Sequence, residues 1–493
     1  MNFEKRILQE INLIKGDDIS YRDSLNKQKL LLRGKENNII ISTKRKSIIE
    51  QMSSNNCNLP KDKQFQIYKF ESSYNKIILY LTSSDNELVS YCLNLLSIYF
   101  KYNEPSTTDQ KIIKEGQFFE ILLHLGNKFL YEKNENNLIK IIWILMNIQV
   151  YSEGNNDYLK IIYDEKYMEF YNDCFTKFGS DEIINEIIVL LSHISKINSD
   201  INYIIMESKV FSSIIKYGIN NNNDMEVMEL IIKLTVNCLN TSNNYDLNEK
   251  DVNIINDCII ILINELSDFE NEKIQKLCFE GLYKITKIDN KYKFNEKLIK
   301  EGIVFQILKM KNNNNVLKSL KILANILSVS DKYCKLIYEA NIIDYYNNIL
   351  INYDDDCEYV FTIFCGLFNI SASKNRNIIQ DSIIWSEEKI QKYFNMDDKI
   401  KILFIKIIKY MIYDGNQDCL EFIYFTKILE YLIFLLSSFT LNEKVSNKIF
   451  KVVDIYLKQF KEKEIKSEEY YIIFQKFQDL IKSLGKKDND SDI

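Results

Sequence analysis

One helical pattern returns along this chain at a nearly constant spacing, and that repetition limits what the chain can fold into. Its clearest copy is Ile142-Trp143-Ile144-Leu145-Met146-Asn147-Ile148. Setting later apolar segments in register with Trp143 gives Val189, Lys233, Phe279, Lys321, Cys365, Ile407 and Phe450, with gaps of 46, 44, 46, 42, 44, 42 and 43 residues. A period in this range marks helical units that bury their apolar faces only by stacking on neighbours. The scarcity of breakers agrees: 493 residues contain 2 Pro and 12 Gly, whereas sandwiches and wound sheets need such residues at many corners. Asparagine runs such as Asn220 to Asn223 and Asn312 to Asn315 take over the punctuation.

Between the copies lies a second pattern, seen at Lys111 to Leu123 and again at Lys297 to Leu308. A short apolar helix, an acidic residue with Gly, and a longer apolar helix give a three-helix unit. Gly116 and Gly302 fall where a left-handed turn would join the helices. Related segments recur at Tyr203 to Tyr217, Lys335 to Ile349 and Cys419 to Leu436. Period and layout together predict an all-α fold, an armadillo-repeat right-handed superhelical solenoid over residues 64–485. It would hold about nine repeats, with Leu88 to Phe129 and Lys444 to Leu484 as atypical caps.

Residues 1–63 read differently. They are polar, carry 13 Lys and Arg against 8 Asp and Glu, and end in the Ser, Asn and Pro cluster from Ser53 to Pro60. The whole chain has a formal charge of -6, so a disordered basic arm precedes an acidic body. Its bases are Arg22, Lys27, Lys29, Arg33, Lys35, Lys44, Arg45 and Lys46, and Leu25 to Ile41 has apolar positions suited to folding on a partner. Residues 486–493 form a polar tail.

Several classes are disfavoured. The ten cysteines never form a C-x-x-C pair and only His124 and His193 accompany them, so neither a zinc site nor any other metal or cofactor is expected. The same usage suits a reduced compartment. No signal peptide follows Lys5 and Arg6, and Tyr431 to Leu436 is too short to span a bilayer, so membrane insertion is not expected. Phosphate-loop, dinucleotide and H-E-x-x-H motifs are missing, and His193 beside Ser192 falls on a helix, so no enzyme is expected.

Four residues after each register position stand Asn147, His193, Asn237, Tyr283, Asn325, Asn369, Met411 and Asp454, all polar except Met411. Residues four apart stack on one helix face, so Trp143 and Asn147 form an indole-over-amide rung. Such a rung could bond a peptide backbone through the amide and flank a Lys or Arg stem with the indole. The plainer alternative is a tryptophan packed in the core.

A basic arm, an acidic armadillo body and a Trp-x-x-x-Asn rung together resemble importin alpha, the nuclear import adaptor, almost end to end. Leu32-Arg33-Gly34-Lys35-Glu36 followed by Lys44-Arg45-Lys46 is similar to that family's importin-beta-binding segment. The resemblance places Trp143 and Asn147 in the second repeat, within the major site for nuclear localisation signals. Tyr283 and Lys321 fall where the family breaks its own pattern with a tyrosine and a basic residue, and Tyr470 to Leu484 resembles its closing helices. Where the family has further tryptophans this chain has Val189, Lys233, Cys365 and Ile407, and His193 and Met411 replace asparagines. The carboxylate that would pair the key signal lysine is off its spacing, with Asp200 the nearest candidate.

The resemblance implies a monomeric adaptor of cytoplasm and nucleus. Basic cargo would lie along Trp143, Asn147, Val189, His193, Asp200, Asn237, Tyr283, Lys321, Asn325 and Asn369 in an acidic groove. The arm would bind an importin-beta-type carrier, with no direct nucleic-acid contact. A tethered Lys-Arg-Lys cluster could also occupy the groove until the carrier withdraws it. The alternative, motivated by the eroded rungs, is a non-transport armadillo scaffold with another partner.

Overall fold

A computed structural model describes residues 79–102, 117–151, 156–196, 199–220, 224–240, 247–266, 271–288, 290–309, 315–413, 416–437 and 442–462, with a few isolated positions. The predicted arm (1–63, including its bases from Arg22 to Lys46), the predicted tail (486–493) and Gly116 lie outside them. Among the described residues every regular element is helical. In chain order come α1 (Asn86–Tyr102), α2 (Phe118–Glu132), α3 (Glu135–Tyr151), α4 (Asn156–Ile162), α5 (Glu165–Asp173), α6 (Asp181–Ile194), α7 (Ser199–Glu207) and α8 (Lys209–Asn220). Then follow α9 (Met225–Cys238), α10 (Glu249–Leu266), α11 (Glu272–Ile285), α12 (Phe294–Lys300), α13 (Ile303–Lys309), α14 (Val316–Leu327), α15 (Asp331–Glu339) and α16 (Ile342–Tyr353). The last are α17 (Cys357–Ser371), α18 (Glu387–Phe394), α19 (Asp398–Ile412), α20 (Gln417–Phe425), α21 (Ile428–Ser437) and α22 (Glu443–Glu462).

The chain divides into two compact units, 1–217 and 218–493. Every register position of the sequence period falls on a helix: α3, α6, α9, α11, α14, α17, α19 and α22. In the first unit α1, α3 and α6 pack side by side, and in the second α9, α11, α14, α17, α19 and α22 do so, forming one layer in each. The shorter helices between them back these layers, as α12–α13 precede α14 and α15–α16 precede α17. This is a helical-repeat solenoid of the armadillo type, and its repeat is the one the sequence spacing predicts.

Local chemistry sets the boundaries. Asp224 accepts from the backbone N–H groups of Glu226 and Val227, Asp356 from those of Glu358 and Tyr359, and Asn271 from that of Ile274. These side chains satisfy amides that have no partner within a first turn. Several of the shorter helices begin on a left-handed residue. Gly302 supplies one at φ 86, as expected, but Gln117, Asn341 and Lys427 do the same at φ 53, 64 and 54. A Cβ crowds the following carbonyl oxygen in that conformation, which makes it costly for all but glycine and, to a lesser degree, asparagine. The layers are apolar inside, with Ile187, Ile231, Phe279, Leu320, Ile363 and Phe404 all at 0% exposure. Gly366 lets α17 approach α16 closely, since a Cβ there would collide with the Tyr346 hydroxyl.

Candidate functional site

Apart from α3, the layer helices each turn a half-buried stripe to one side, and the candidate residues divide by whether they reach it. In the first unit Trp143 and Asn147 do not. Both are buried at 6% exposure, within a run from Asn137 to Gln149 that is buried throughout. Among the described residues the Trp143 indole N–H has no acceptor, and the Asn147 amide donates to the Ser97 carbonyl on α1 at 3.4 Å. The expected open rung is therefore a buried pair inside the layer, and the plainer reading of the tryptophan describes its surroundings. Val189 and His193 are half-buried on one face of α6. Nε2 of the buried Gln149 lies 2.9 Å from Nδ1 of His193, and an amide nitrogen can only donate, so Nδ1 is the acceptor of this pair. Gln149 is held in turn by the hydroxyl of Tyr163, a buried phenol pushed well above its ordinary pKa by desolvation. Asp200 stands exposed in the first turn of α7, away from the layer helices.

In the second unit Asn237, Tyr283, Lys321 and Asn325 are half-buried on the layer stripe, whereas Asn369 is buried at 4% exposure. Asn369 donates to the carbonyl of Ala324 at 2.9 Å, Asn325 donates to the Thr286 hydroxyl at 2.8 Å, and Lys284 donates to the Val236 carbonyl at 3.0 Å. Each reaches the end of the preceding layer helix. The Val236 and Ala324 carbonyls lie in last turns, at the negative end of the helix dipole, and a carbonyl can accept a second bond, as that of Ala324 does beside the one from the Ser328 N–H, so an amide or ammonium there is stabilising. A polar residue recurring at one phase thus has a structural use, joining one repeat to the next.

Further along, the stripe slips by one residue. Ile407 and Met411 are at 0% exposure, and Lys406 and Tyr410 take the half-buried face of α19 instead. The Phe368 ring on α17 meets the Tyr410 ring at 5.4 Å and the Lys406 ammonium at 5.6 Å. Phe279 is likewise fully buried, so the α11 stripe runs through Lys276, Glu280, Tyr283 and Lys287. Register taken from apolar segments alone missed this row. Its signal was the spacing of charged residues along α11 and just past its end, at 273, 276, 280, 284 and 287.

Ion pairs link the stripes of successive helices. Glu229 on α9 pairs with Lys233 and, at 2.8 Å, with Lys273 on α11. Glu280 on α11 lies 3.2 Å from both Lys284 and Lys318, the latter on α14. Lys321 on α14 meets Glu358 on α17 at 2.7 Å. Burial pushes the Glu280 carboxyl up, but Lys284 and Lys318 outweigh it and hold the group below its ordinary range. Lys284 is pulled down by its own burial, against the support of Glu280, and the ammoniums of Lys318 and Lys287 add to the depression. The expectation of an acidic groove does not hold on this face. On α11, just past its end and on α14 this face carries Lys273, Lys276, Lys284, Lys287, Lys318 and Lys321 against Glu272 and Glu280.

The layers offer no reactive nucleophile among the thiols whose titration is perturbed. Burial pushes Cys92 and Cys334 up to about 11, which keeps them protonated and inert near neutral pH. Among the described residues no cluster of His, Cys, Asp and Glu could hold a metal ion, and no helix is long and apolar enough to cross a membrane.

No family model and no curated protein matches the sequence. Among solved structures, an engineered protein determined by the Northeast Structural Genomics Consortium covers 83% of this chain and 97% of its own, at 17% identity and TM-score 0.53. A designed armadillo repeat protein in complex with a (KR)4 peptide covers 52% of this chain and 98% of its own, at 19% identity and TM-score 0.40. At such identities the likeness extends to the fold alone.

Proposed function

We propose that this protein is a non-enzymatic interaction scaffold that holds an extended segment of a partner along the layer stripe of its second unit. The observation that carries this reading is the stripe itself: α9, α11, α14, α17 and α19 each turn half-buried polar and aromatic side chains to one side. Tyr283, Phe361, Phe368 and Tyr410 offer ring surface there, and the carbonyl oxygen of Asn325 offers an acceptor beside the bond its amide nitrogen gives Thr286. An extended chain leaves its backbone N–H and C=O groups unpaired, and such side chains can meet them. The test is selection of displayed peptides on the full chain, followed by hydrogen exchange on the enriched complex. Protection on α11, α14 and α17 is expected; enrichment of nothing, or protection confined to other helices, would refute the reading.

A second reading, the nuclear import adaptor, is favoured by the 42 to 46 residue period, the Trp143 to Asn147 spacing and the bases of the arm. It predicts binding of basic signal peptides that Trp143→Ala or Asn147→Ala abolishes in a protein that still folds. It also predicts retention of an importin-beta-type carrier that is lost on removing residues 1–63. Burial of both rung residues supports the scaffold over the adaptor, because a desolvated indole inside the layer cannot flank a cargo side chain.

A further inference from the structure

The α11 and α14 stripes hold more cations than their own carboxylates can match. Glu280 is shared between Lys284 and Lys318, both at 3.2 Å, and one carboxylate balances only one of the two charges. Lys284 is only 14% exposed, so its stem lies against the layer and its ammonium is fixed in place. Lys287 reaches over the face of Tyr283 at 4.1 Å, and Lys276 is exposed one turn before Glu280. Neither Lys276 nor Lys287 forms an ion pair among the described residues. The surplus stands out against a chain whose formal charge is -6.

From this placement we infer that the lysine stripe of α11 and α14 is the docking site for an extended acidic segment of a partner protein. Carboxylates of the segment pair with Lys276 and Lys287 and join Glu280 in balancing Lys284 and Lys318. Its intervening side chains lie against Tyr283, and the Asn325 amide faces its backbone. The inference rests on the scaffold reading and adds the chemistry of the partner to it. A polypeptide fits better than a polynucleotide. Glu229, Glu280 and Glu358 interrupt the stripe on α9, α11 and α17. A strand with a phosphate at every step would have to pass each of them, whereas a peptide can space its acids to avoid them. The cations are also all lysines, compact charges suited to single carboxylates and lacking the planar fork that clasps phosphate in two places.

Fluorescence anisotropy on the full chain tests the inference. The probe is a labelled peptide of alternating Glu and Val, about ten residues long, which at ~3.3 Å per residue crosses three helices spaced ~10 Å apart. Wild-type protein should bind it, added salt should weaken it, and an analogue with Lys in place of Glu should not bind. Lys276→Glu with Lys287→Glu should weaken binding by about tenfold, two attractive contacts having become repulsive. The charge-matched control Lys335→Glu with Lys166→Glu should bind as wild type does. Binding of the basic analogue, or an affinity unmoved by the stripe reversal, would overturn the inference. So would an oligo-dT strand that binds the stripe while the acidic peptide does not. Should display selection return only neutral or basic peptides that protect this stripe, the acid preference falls and the scaffold stands. Should it return none, both fall.

Discussion

Replacing Trp143 separates a packed residue from a ligand platform. The side chain is 6% exposed and its indole N–H lacks an acceptor among the described residues, so two terms oppose each other. A buried tryptophan removes about 150–250 Å² from water, which at about 25 cal/mol per Å² sets an upper bound of about 4–6 kcal/mol. Truncation to alanine forfeits most of that and leaves a cavity, so Trp143→Ala should cost about 3–5 kcal/mol. Trp143→Phe keeps a ring and deletes the orphaned donor, whose burial costs about 1–3 kcal/mol, so it should be nearly neutral. Hydrogen exchange at α3 reads both variants without assuming that the whole chain unfolds in one step. Fluorescence gives an independent reading. The chain has two tryptophans, and in a Trp385→Phe background the emission comes from Trp143 alone and should be blue-shifted and shielded from acrylamide. If Trp143→Ala left α3 protection within about 1 kcal/mol of wild type, and Trp143 emission in the Trp385→Phe protein were red-shifted and readily quenched, the burial argument would be wrong. The adaptor reading would then regain its central rung.

Three further outcomes are expected. Gly366→Ala should destabilise the α16–α17 contact by about 1–3 kcal/mol, read by thermal unfolding, because the new methyl meets the fully buried Tyr346. Lys427→Gly should stabilise the α20–α21 joint by about 0.5–1 kcal/mol in urea titrations, since an exposed lysine at φ 54 occupies a region glycine enters freely. Stability should fall as pH drops from about 5 towards 3, because carboxyls held below their ordinary values contribute above the unfolded pKa and lose that contribution as they protonate. Glu280 and Glu229 are both held low by lysines against the push of burial, so Glu280→Gln should flatten part of that acid limb.

The repeat was legible because its period depends on helix lengths and turn lengths, which apolar spacing records directly. Every register position from Trp143 to Phe450 lies on a helix of a layer. The direction in which a side chain points was less legible. Apolar residues surround both faces of α3, so nothing in the spacing distinguished a Trp143 turned inward from one turned outward. The polar phase at Asn147 and Asn369 misled for a related reason, since a helix neighbour and a bound peptide ask for the same amide. On α19 the register slipped because Lys406 and Ile407 are adjacent, and choosing the apolar one placed the core side of the helix where its stripe should be. Joints were half legible: Gly302 announced itself, whereas Lys427 adopts the same backbone with no signal in its residue type.

The contacts made by Lys284, Asn325 and Asn369 share one sense, each donor reaching back to the helix before it. The two ends of such a stack are therefore not equivalent when they fray. Detaching the last repeat takes away donors and strips the carbonyls of the helix left behind, whereas detaching the first leaves a flexible ammonium or amide that water can solvate. At these three joints what comes later in the chain closes off what came earlier, whereas Arg376 runs the other way and donates to the Tyr410 carbonyl of α19.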